Sequence, residues 1–142
     1  MNLSMLVIPV LFDTTTQPSQ LVNQWVRMYH YGHHLYPGMA ITTCLLYGYA
    51  AFSKHAAGRH WRVFVVAAAT TLSMLPFTWI FMTRTNNALF RAQMQSEAGR
   101  VASWDEAQEL VTTWGRLHFV RSLLPLTGAV LGLLGNLHVL AF

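Results

Sequence analysis

Two long stretches of this chain contain no charged residue, and they constrain the fold more than any other feature. They cover residues 63–82 and 122–142. An α-helix rises 1.5 Å per residue, so about 20 apolar residues span the roughly 30 Å hydrocarbon core of a bilayer. A helix of a soluble domain would show a polar stripe at 3.6-residue spacing, and neither stretch has one. Both stretches therefore predict membrane-spanning helices.

The composition supports a membrane protein. Hydrophobic residues make up 54% of the chain and charged residues only 10%, whereas about 25% charged residues is typical of soluble domains. The nine lysines and arginines contribute to a net charge of +4. They are scattered and mostly flank apolar stretches, which is typical of membrane flanks rather than of a nucleic-acid-binding surface. We therefore expect a lipid bilayer, and no nucleic acid, among the partners.

Two further apolar segments bring the number of predicted helical spans to four. The segment near the N-terminus is too short to cross a bilayer, so it predicts only part of a span. The fold class expected is all-α: an integral, multi-pass, up-and-down four-helix bundle with a partial first span, forming a single domain over residues 1–142. The four predicted spans are 3–12, 35–52, 63–82 and 117–142.

Local signals predict where helices begin, bend and approach each other. Ser103 followed by Glu106 fits a capping box, which predicts a helix that starts there and continues into the last span. Pro76 and Pro125 each remove a backbone hydrogen bond and should bend their spans.

Small residues on one helix face allow close contact with another helix. The last span has such a face at Gly128, Gly132 and Gly135.

The predicted topology brings polar and aromatic residues together at one membrane face. In an up-and-down bundle, the end of the third span lies beside the start of the fourth. Trp114, His118 and Arg121 are spaced i, i+4 and i+7, so they share one face of a helix, and Asn86 follows the third span. A pocket there would have apolar walls and a few converging polar groups, as small-molecule sites do.

Each of these features has a simpler alternative. The aromatic residues could form an ordinary interfacial belt. His30 and His34 are neighbours on a helix face and could hold a metal together with His118. No H-E-x-x-H pattern or carboxylate accompanies them, so we expect no metal and retain these three histidines as the alternative.

The same residues carry a resemblance to a known family. Three strings, in this order and on hydrophobic segments, resemble the anthrone oxygenase family, small integral membrane proteins once grouped as a domain of unknown function. The resemblance covers residues 8–134. The strings are Gln24-Trp25 with Tyr29, Gly32, Pro37 and Ala40; Pro76-Phe77-Thr78 with Met82 and Thr85-Asn86; and Trp114 with His118 and Arg121.

This resemblance implies a monooxygenase of secondary metabolism that converts an anthrone, a small aromatic polyketide, to an anthraquinone. O₂ is the co-substrate and no organic cofactor is expected. His118 would remove a proton, and Arg121 and Asn86 would hold the anthrolate oxygen. The substrate-binding set expected from the resemblance is Trp25, Tyr29, Phe77, Thr78, Met82 and Trp114.

Two other functions remain as alternatives at this point. One is a non-catalytic small membrane protein that binds or assembles through its glycine face. The other is a metal-dependent redox protein that uses His30, His34 and His118. The sequence also leaves homo-oligomerisation open.

Overall fold

The computed structural model describes residues 3–100 and 102–140. The last two residues of the predicted span 117–142, and the ends of the predicted domain 1–142, lie outside these ranges. Throughout the described ranges the regular structure is helical and contains no strand. The predicted all-α class is therefore confirmed.

Six α-helices and two π-helical segments form the described chain. The π-helical segments are Leu3–Val7 and Thr78–Met82. The helices are α1 (Ile8–Thr14), α2 (Pro18–Ala56), α3 (Arg62–Leu72), α4 (Met74–Phe77), α5 (Thr83–Glu97) and α6 (Trp104–Asn136).

The ends of the long helices follow from local chemistry. Pro18 occupies the first position of α2, where its missing N–H costs nothing. Gly58 and Gly99, which follow α2 and α5, have φ angles of +66° and +80° and so end these helices in the left-handed conformation that glycine adopts readily. The amide of Glu106 donates to the Ser103 hydroxyl at 3.2 Å. The predicted helix start at Ser103 is thus confirmed, and α6 continues through Pro125.

Two helices extend well beyond the predicted spans. Residues 13–34 were expected to connect the first two predicted spans, but residues 18–34 form the first part of α2. They are too polar for a membrane span yet suit a helix, because Leu21, Val22 and Trp25 lie close together on it and are buried. α5 likewise buries one stripe, with Leu89 in its centre. Such amphipathic segments cannot be recognised by a search for uninterrupted apolar runs.

The predicted disturbance near Pro76 is present. A single helical stretch runs over Arg62–Glu97, but α3 ends at Leu72 and a turn at Ser73 precedes α4. Proline has no N–H to donate to the carbonyl four residues earlier, which here belongs to Leu72. The interruption therefore falls where the missing hydrogen bond would have been.

Two described helices are long and apolar enough to cross a membrane. They are Arg62–Glu97 and Trp104–Asn136, and the shorter helix Ser4–Thr14 is also apolar. The first contains the uncharged stretch 63–82, and the second contains residues 122–136 of the stretch 122–142, because α6 ends at Asn136.

The chain forms two compact units. The first comprises the described residues of Met1–His34 and Phe77–Val120, and the second those of Leu35–Pro76 and Arg121–Phe142. The single domain expected over residues 1–142 stays a prediction. In the first unit the core is formed by α1, the first part of α2, α5 and the first part of α6. Its largest buried side chains are Leu21, Trp25, Met82, Leu89 and Trp114.

The glycine face of α6 packs against other helices inside the second unit. A methyl group added at Gly128 would overlap the Thr71 hydroxyl and lie 2.8 Å from the Ala67 carbonyl oxygen, and at Gly132 it would lie 2.6 Å from the Tyr47 ring. Gly135 is as close to Val63. The Tyr47 hydroxyl also donates to the Gly128 carbonyl at 3.1 Å. The predicted close helix contact is therefore confirmed.

We expect Gly128→Ala to lower the free energy of unfolding by about 1–3 kcal/mol, the usual cost of overpacking. The added methyl would meet a backbone oxygen of Ala67, which cannot rotate away. Gly48→Ala is the matched control, because no atom lies within 4 Å of its added methyl. Unfolding of the detergent-solubilised protein measures both effects. Equal stability of the two variants would contradict the packing described above.

Candidate functional site

The first unit contains a buried histidine, His118, which contacts a serine and an aromatic ring. His118 lies on α6 and is only 4% exposed. Its Nδ1 lies 3.0 Å from the hydroxyl oxygen of Ser4, 114 residues away in the sequence. Its ring stacks on Trp114, one helical turn earlier, with ring centroids 4.8 Å apart and planes inclined by 27°. These two contacts restrict both the position and the rotation of the imidazole.

Four aromatic rings continue from His118 as a connected cluster. Trp25 meets Trp114 edge-on at 5.7 Å and Phe90 at 5.3 Å. Tyr29 packs against Trp25 at 5.2 Å and against Phe90 at 5.1 Å. Edge-to-face pairs of this kind add stability beyond the burial of their area. Trp25 and Tyr29, which the sequence placed among the substrate-binding residues, thus lie in one cluster with Trp114.

Asn86 lies on α5, on the face that the core of the first unit covers. It is 6% exposed, and Leu89 and Phe90 stand three and four residues later on the same face. Met82, in the π-helical segment before α5, is buried in the same core. The amide oxygen of Asn86 has no hydrogen-bond partner, although it is buried.

The indole nitrogens of Trp25 and Trp114 are also buried without a partner. Leaving a buried polar group unpaired costs about 1–3 kcal/mol in a protein interior. Across the described residues, the buried side-chain nitrogens and oxygens in this state are Trp25 Nε1, Trp114 Nε1 and Asn86 Oδ1. All three belong to the residues that the sequence had selected for the site.

The other sequence-predicted residues differ in their surroundings. Phe77 packs against the core of the first unit, with its ring 4.8 Å from that of Phe81. Thr78, which is half-buried, begins the π-helical segment. Arg121 is half-buried and belongs to the second unit. That Arg121 holds the anthrolate oxygen beside His118 stays a prediction.

The three histidines proposed as an alternative metal site are not gathered into one cluster. The rings of His30 and His34 are 5.4 Å apart and both side chains are exposed, whereas His118 is buried. Within residues 3–100 and 102–140, no group of three or more His, Cys, Asp or Glu side chains is arranged to hold a metal ion.

Ser4 is the site residue that the sequence analysis missed. It lies in the short apolar segment that was interpreted only as part of a membrane span. A signal was present, because Ser4 is the only polar residue in the otherwise apolar stretch 3–12. A lone hydroxyl in an apolar helix tends to hydrogen-bond within the protein, since lipid offers no partner.

This arrangement suits proton transfer in an apolar setting. When Nδ1 of His118 carries the proton, it donates to the Ser4 hydroxyl and leaves a lone pair on Nε2, which can act as a base. The adjoining aromatic rings can pack against a flat ligand. The unpaired indole N–H groups and amide oxygen can form hydrogen bonds with ligand oxygens.

Comparison with known proteins assigns the family. A family model described as anthrone oxygenase matches residues 25–131. The monooxygenase hypC of Dothistroma septosporum is 50% identical over all of this chain and 77% of its own length. The noranthrone monooxygenase of Aspergillus flavus is 51% identical over 95% of this chain and 65% of its own length.

A third relative, the anthrone oxygenase AgnL2 of Paecilomyces divaricatus, is 49% identical over 95% of this chain and 84% of its own length. No solved structure matches the chain. Since the family model covers most of the chain and these relatives share about half of its residues, the chain belongs to the anthrone oxygenase family.

Proposed function

We propose that this protein is an oxygenase that converts an anthrone to the corresponding anthraquinone with O₂ in polyketide biosynthesis. Family membership supports the reaction class, and the names of the relatives supply the anthrone. The observation that supports catalysis at this position is the buried His118, which contacts Ser4 through Nδ1 and stacks on Trp114 of the aromatic cluster.

The reaction begins with the methylene group of the anthrone, which is acidic because its anion is a fully aromatic anthrolate. His118 accepts one methylene proton. The electron-rich anthrolate then transfers an electron to O₂, and the resulting radical and superoxide combine to form a peroxide anion on the same carbon. This anion takes back the proton from His118 and becomes a hydroperoxide. Loss of water leaves the second carbonyl of the quinone. One oxygen atom of O₂ thus enters the product and the other leaves as water.

The oxygen of the anthrolate gains negative charge during proton removal, so hydrogen-bond donors near it lower the barrier. Asn86, through its amide N–H₂, is the proposed donor in the first unit. Arg121 follows His118 by three residues in the sequence and stays a predicted second donor. The Ser4 hydroxyl acts on His118 itself. In the tautomer that carries its proton on Nδ1, this N–H donates to the hydroxyl oxygen, and Nε2 is the basic nitrogen.

The aromatic cluster provides apolar ring surfaces for the substrate's ring system. The planes of Trp25 and Trp114 are nearly perpendicular, at 87°, so one of them packs on a face of the substrate and the other meets it edge-on. Tyr29 and Phe77 extend the apolar wall. Thr78 and Met82, from the π-helical segment, complete the proposed substrate-binding set. An apolar surrounding also excludes water, which would otherwise compete for hydrogen bonds with the anthrolate.

We further propose that the protein is an integral, multi-pass membrane protein. Large apolar side chains are exposed along the two long apolar helices, and they would contact lipid. On Arg62–Glu97 these include Trp79, Ile80 and Phe81, and on Trp104–Asn136 they include Leu126, Val130 and Leu133. A bilayer would also concentrate an apolar anthrone near the site.

An assembly role based on the glycine face has less support. Gly128, Gly132 and Gly135 already contact side chains of the same chain in the second unit. A partner helix would have to displace those contacts.

The proposed function is tested by incubating membranes that contain the protein with emodin anthrone and following O₂ uptake and emodin formation. With ¹⁸O₂ we expect one labelled oxygen atom in the quinone, at a rate above that of empty membranes. The activity is expected to survive a strong chelator, because the substrate anion can reduce O₂ directly. No turnover above the autoxidation rate would contradict the function. Loss of activity on chelation, restored by one metal ion, would favour the metal-dependent alternative.

A further inference from the structure

Three buried polar atoms in the first unit form no hydrogen bond with the protein. They are Trp25 Nε1, Trp114 Nε1 and Asn86 Oδ1. An indole N–H can only donate a hydrogen bond, and an amide oxygen can only accept one. The site therefore has two unused donors and one unused acceptor. All three are shielded from bulk solvent by the protein, so their pairing comes from a polar ligand or from water that enters with it.

The three residues lie in one part of the first unit. The rings of Trp25 and Trp114 are in edge-to-face contact. Phe90, which lies one helical turn after Asn86, contacts the Trp25 ring. Each of the three side chains is more than nine-tenths buried. A core that serves only for packing rarely leaves three polar side-chain atoms unpaired, and one of these three belongs to the ring that stacks on the buried His118.

We infer that these atoms recognise the polar edge of the substrate. The indole N–H of Trp25 or of Trp114 donates to the keto oxygen, so the tryptophans are more than apolar walls. Asn86 Oδ1 accepts a hydrogen bond from a phenolic hydroxyl that is not already bonded to the neighbouring keto oxygen. This inference rests on the proposed function. It specifies the preferred substrate class as anthrones with at least one such free hydroxyl.

Emodin and chrysophanol provide a matched pair of ligands, because these anthraquinones differ only by one free phenolic hydroxyl. Neither consumes O₂, so binding can be measured without turnover by quenching of tryptophan fluorescence in detergent. In a slightly acidic buffer that keeps the hydroxyl protonated, we expect the wild-type protein to bind emodin about 10-fold more tightly, the value of one good hydrogen bond. Equal affinity for the two ligands would overturn the inference.

Variants assign the contacts to individual residues. In Asn86→Leu the new side chain is similar in size to asparagine but lacks the amide oxygen that accepts the hydrogen bond. This variant should bind emodin about 10-fold more weakly, and its binding of chrysophanol should change much less. Trp114→Phe should weaken both by about 3- to 10-fold, because both ligands carry the keto oxygen. The controls are Asn87→Leu and Trp79→Phe, whose parent side chains are exposed.

The two proposals fail in different ways. If the protein prefers emodin but does not oxidise emodin anthrone, the proposed hydrogen bonds to the ligand are supported and the oxygenase function at this site is contradicted. If the protein oxidises emodin anthrone but binds emodin and chrysophanol equally, and Asn86→Leu does not selectively weaken emodin binding, the oxygenase function is supported and the proposed hydrogen bonds are contradicted. The comparison of ligands on the wild-type protein stays decisive even if a variant does not fold.

Discussion

Replacing His118 with alanine is expected to lower the rate of anthrone oxidation by about 10²- to 10⁴-fold, the usual contribution of a positioned base. The alanine cannot accept the methylene proton, and only the slower reaction with solvent base remains. O₂ uptake by the purified protein in detergent measures the rate, after subtraction of autoxidation. The folded yield should change little, because the contacts among Trp25, Tyr29, Phe90 and Trp114 remain.

His34→Ala is the matched control, because His34 is exposed and is a ligand only in the metal alternative. It should retain the wild-type rate if His118 acts as a base. Wild-type turnover in His118→Ala would exclude His118 as the base. Failure of that variant to fold would instead assign His118 a packing role, and a parallel loss in His34→Ala would point to a metal site.

Ser4 provides a second test that leaves the imidazole in place. Ser4→Ala should lower kcat by about 10-fold with little change in KM, because the ring loses its Nδ1 partner while the aromatic surface persists. Ser4→Thr keeps a hydroxyl and should restore most of the rate. A role of Ser4 in packing alone would not produce this split between kcat and KM, nor the rescue by threonine.

Replacing Trp25 with alanine is expected to lower the free energy of unfolding by about 3–5 kcal/mol, the range for loss of a buried tryptophan. Trp25 has 0% exposure and contacts Tyr29, Phe90 and Trp114. Alanine would remove those contacts and leave a cavity among rings that are held on different helices. Thermal or detergent-induced unfolding, followed by circular dichroism, measures the difference.

Trp79→Ala is the control for this prediction. Trp79 is the same residue type but is 75% exposed, so its loss should change the free energy of unfolding by no more than about 0.5 kcal/mol. If both variants lost the same stability, the aromatic cluster would not be the core of the first unit. If Trp25→Ala were as stable as the wild-type protein, the cluster would contribute little to folding.

Several features of this protein follow from local sequence alone. Uncharged apolar runs predicted the helical spans 63–82 and 117–142, which lie wholly or mostly within Arg62–Glu97 and Trp104–Asn136. The Ser103 cap and the disturbance at Pro76 depend on residues within one turn of each other, so spacing was sufficient to predict them. The shared helix face of Trp114 and His118 follows from the i, i+4 rule, and their rings do stack. Small residues at helical spacing likewise predicted the close contacts of Gly128 and its neighbours.

Other features required the tertiary structure, because they join residues that are distant in the sequence. The contact between Ser4 and His118 depends on how α6 packs beside the N-terminal segment, and no local pattern encodes that pairing. The extension of α2 back to Pro18 was missed because residues 18–34 are stabilised as a helix by burial of Trp25 against other helices. Propensity and hydropathy describe only one segment at a time.

The chemical character of the site shows the same division. Residue type and the resemblance to a family were sufficient to select Trp25, Asn86 and Trp114 from the sequence. The sequence therefore determined that aromatic and amide groups were available for ligand binding. Whether their polar atoms are used within the protein depends on distances between helices. Only the packed first unit decided that Trp25 Nε1, Trp114 Nε1 and Asn86 Oδ1 are buried and unpaired. Hydrogen bonding requires partners within about 3 Å, and such distances between segments are set by tertiary packing.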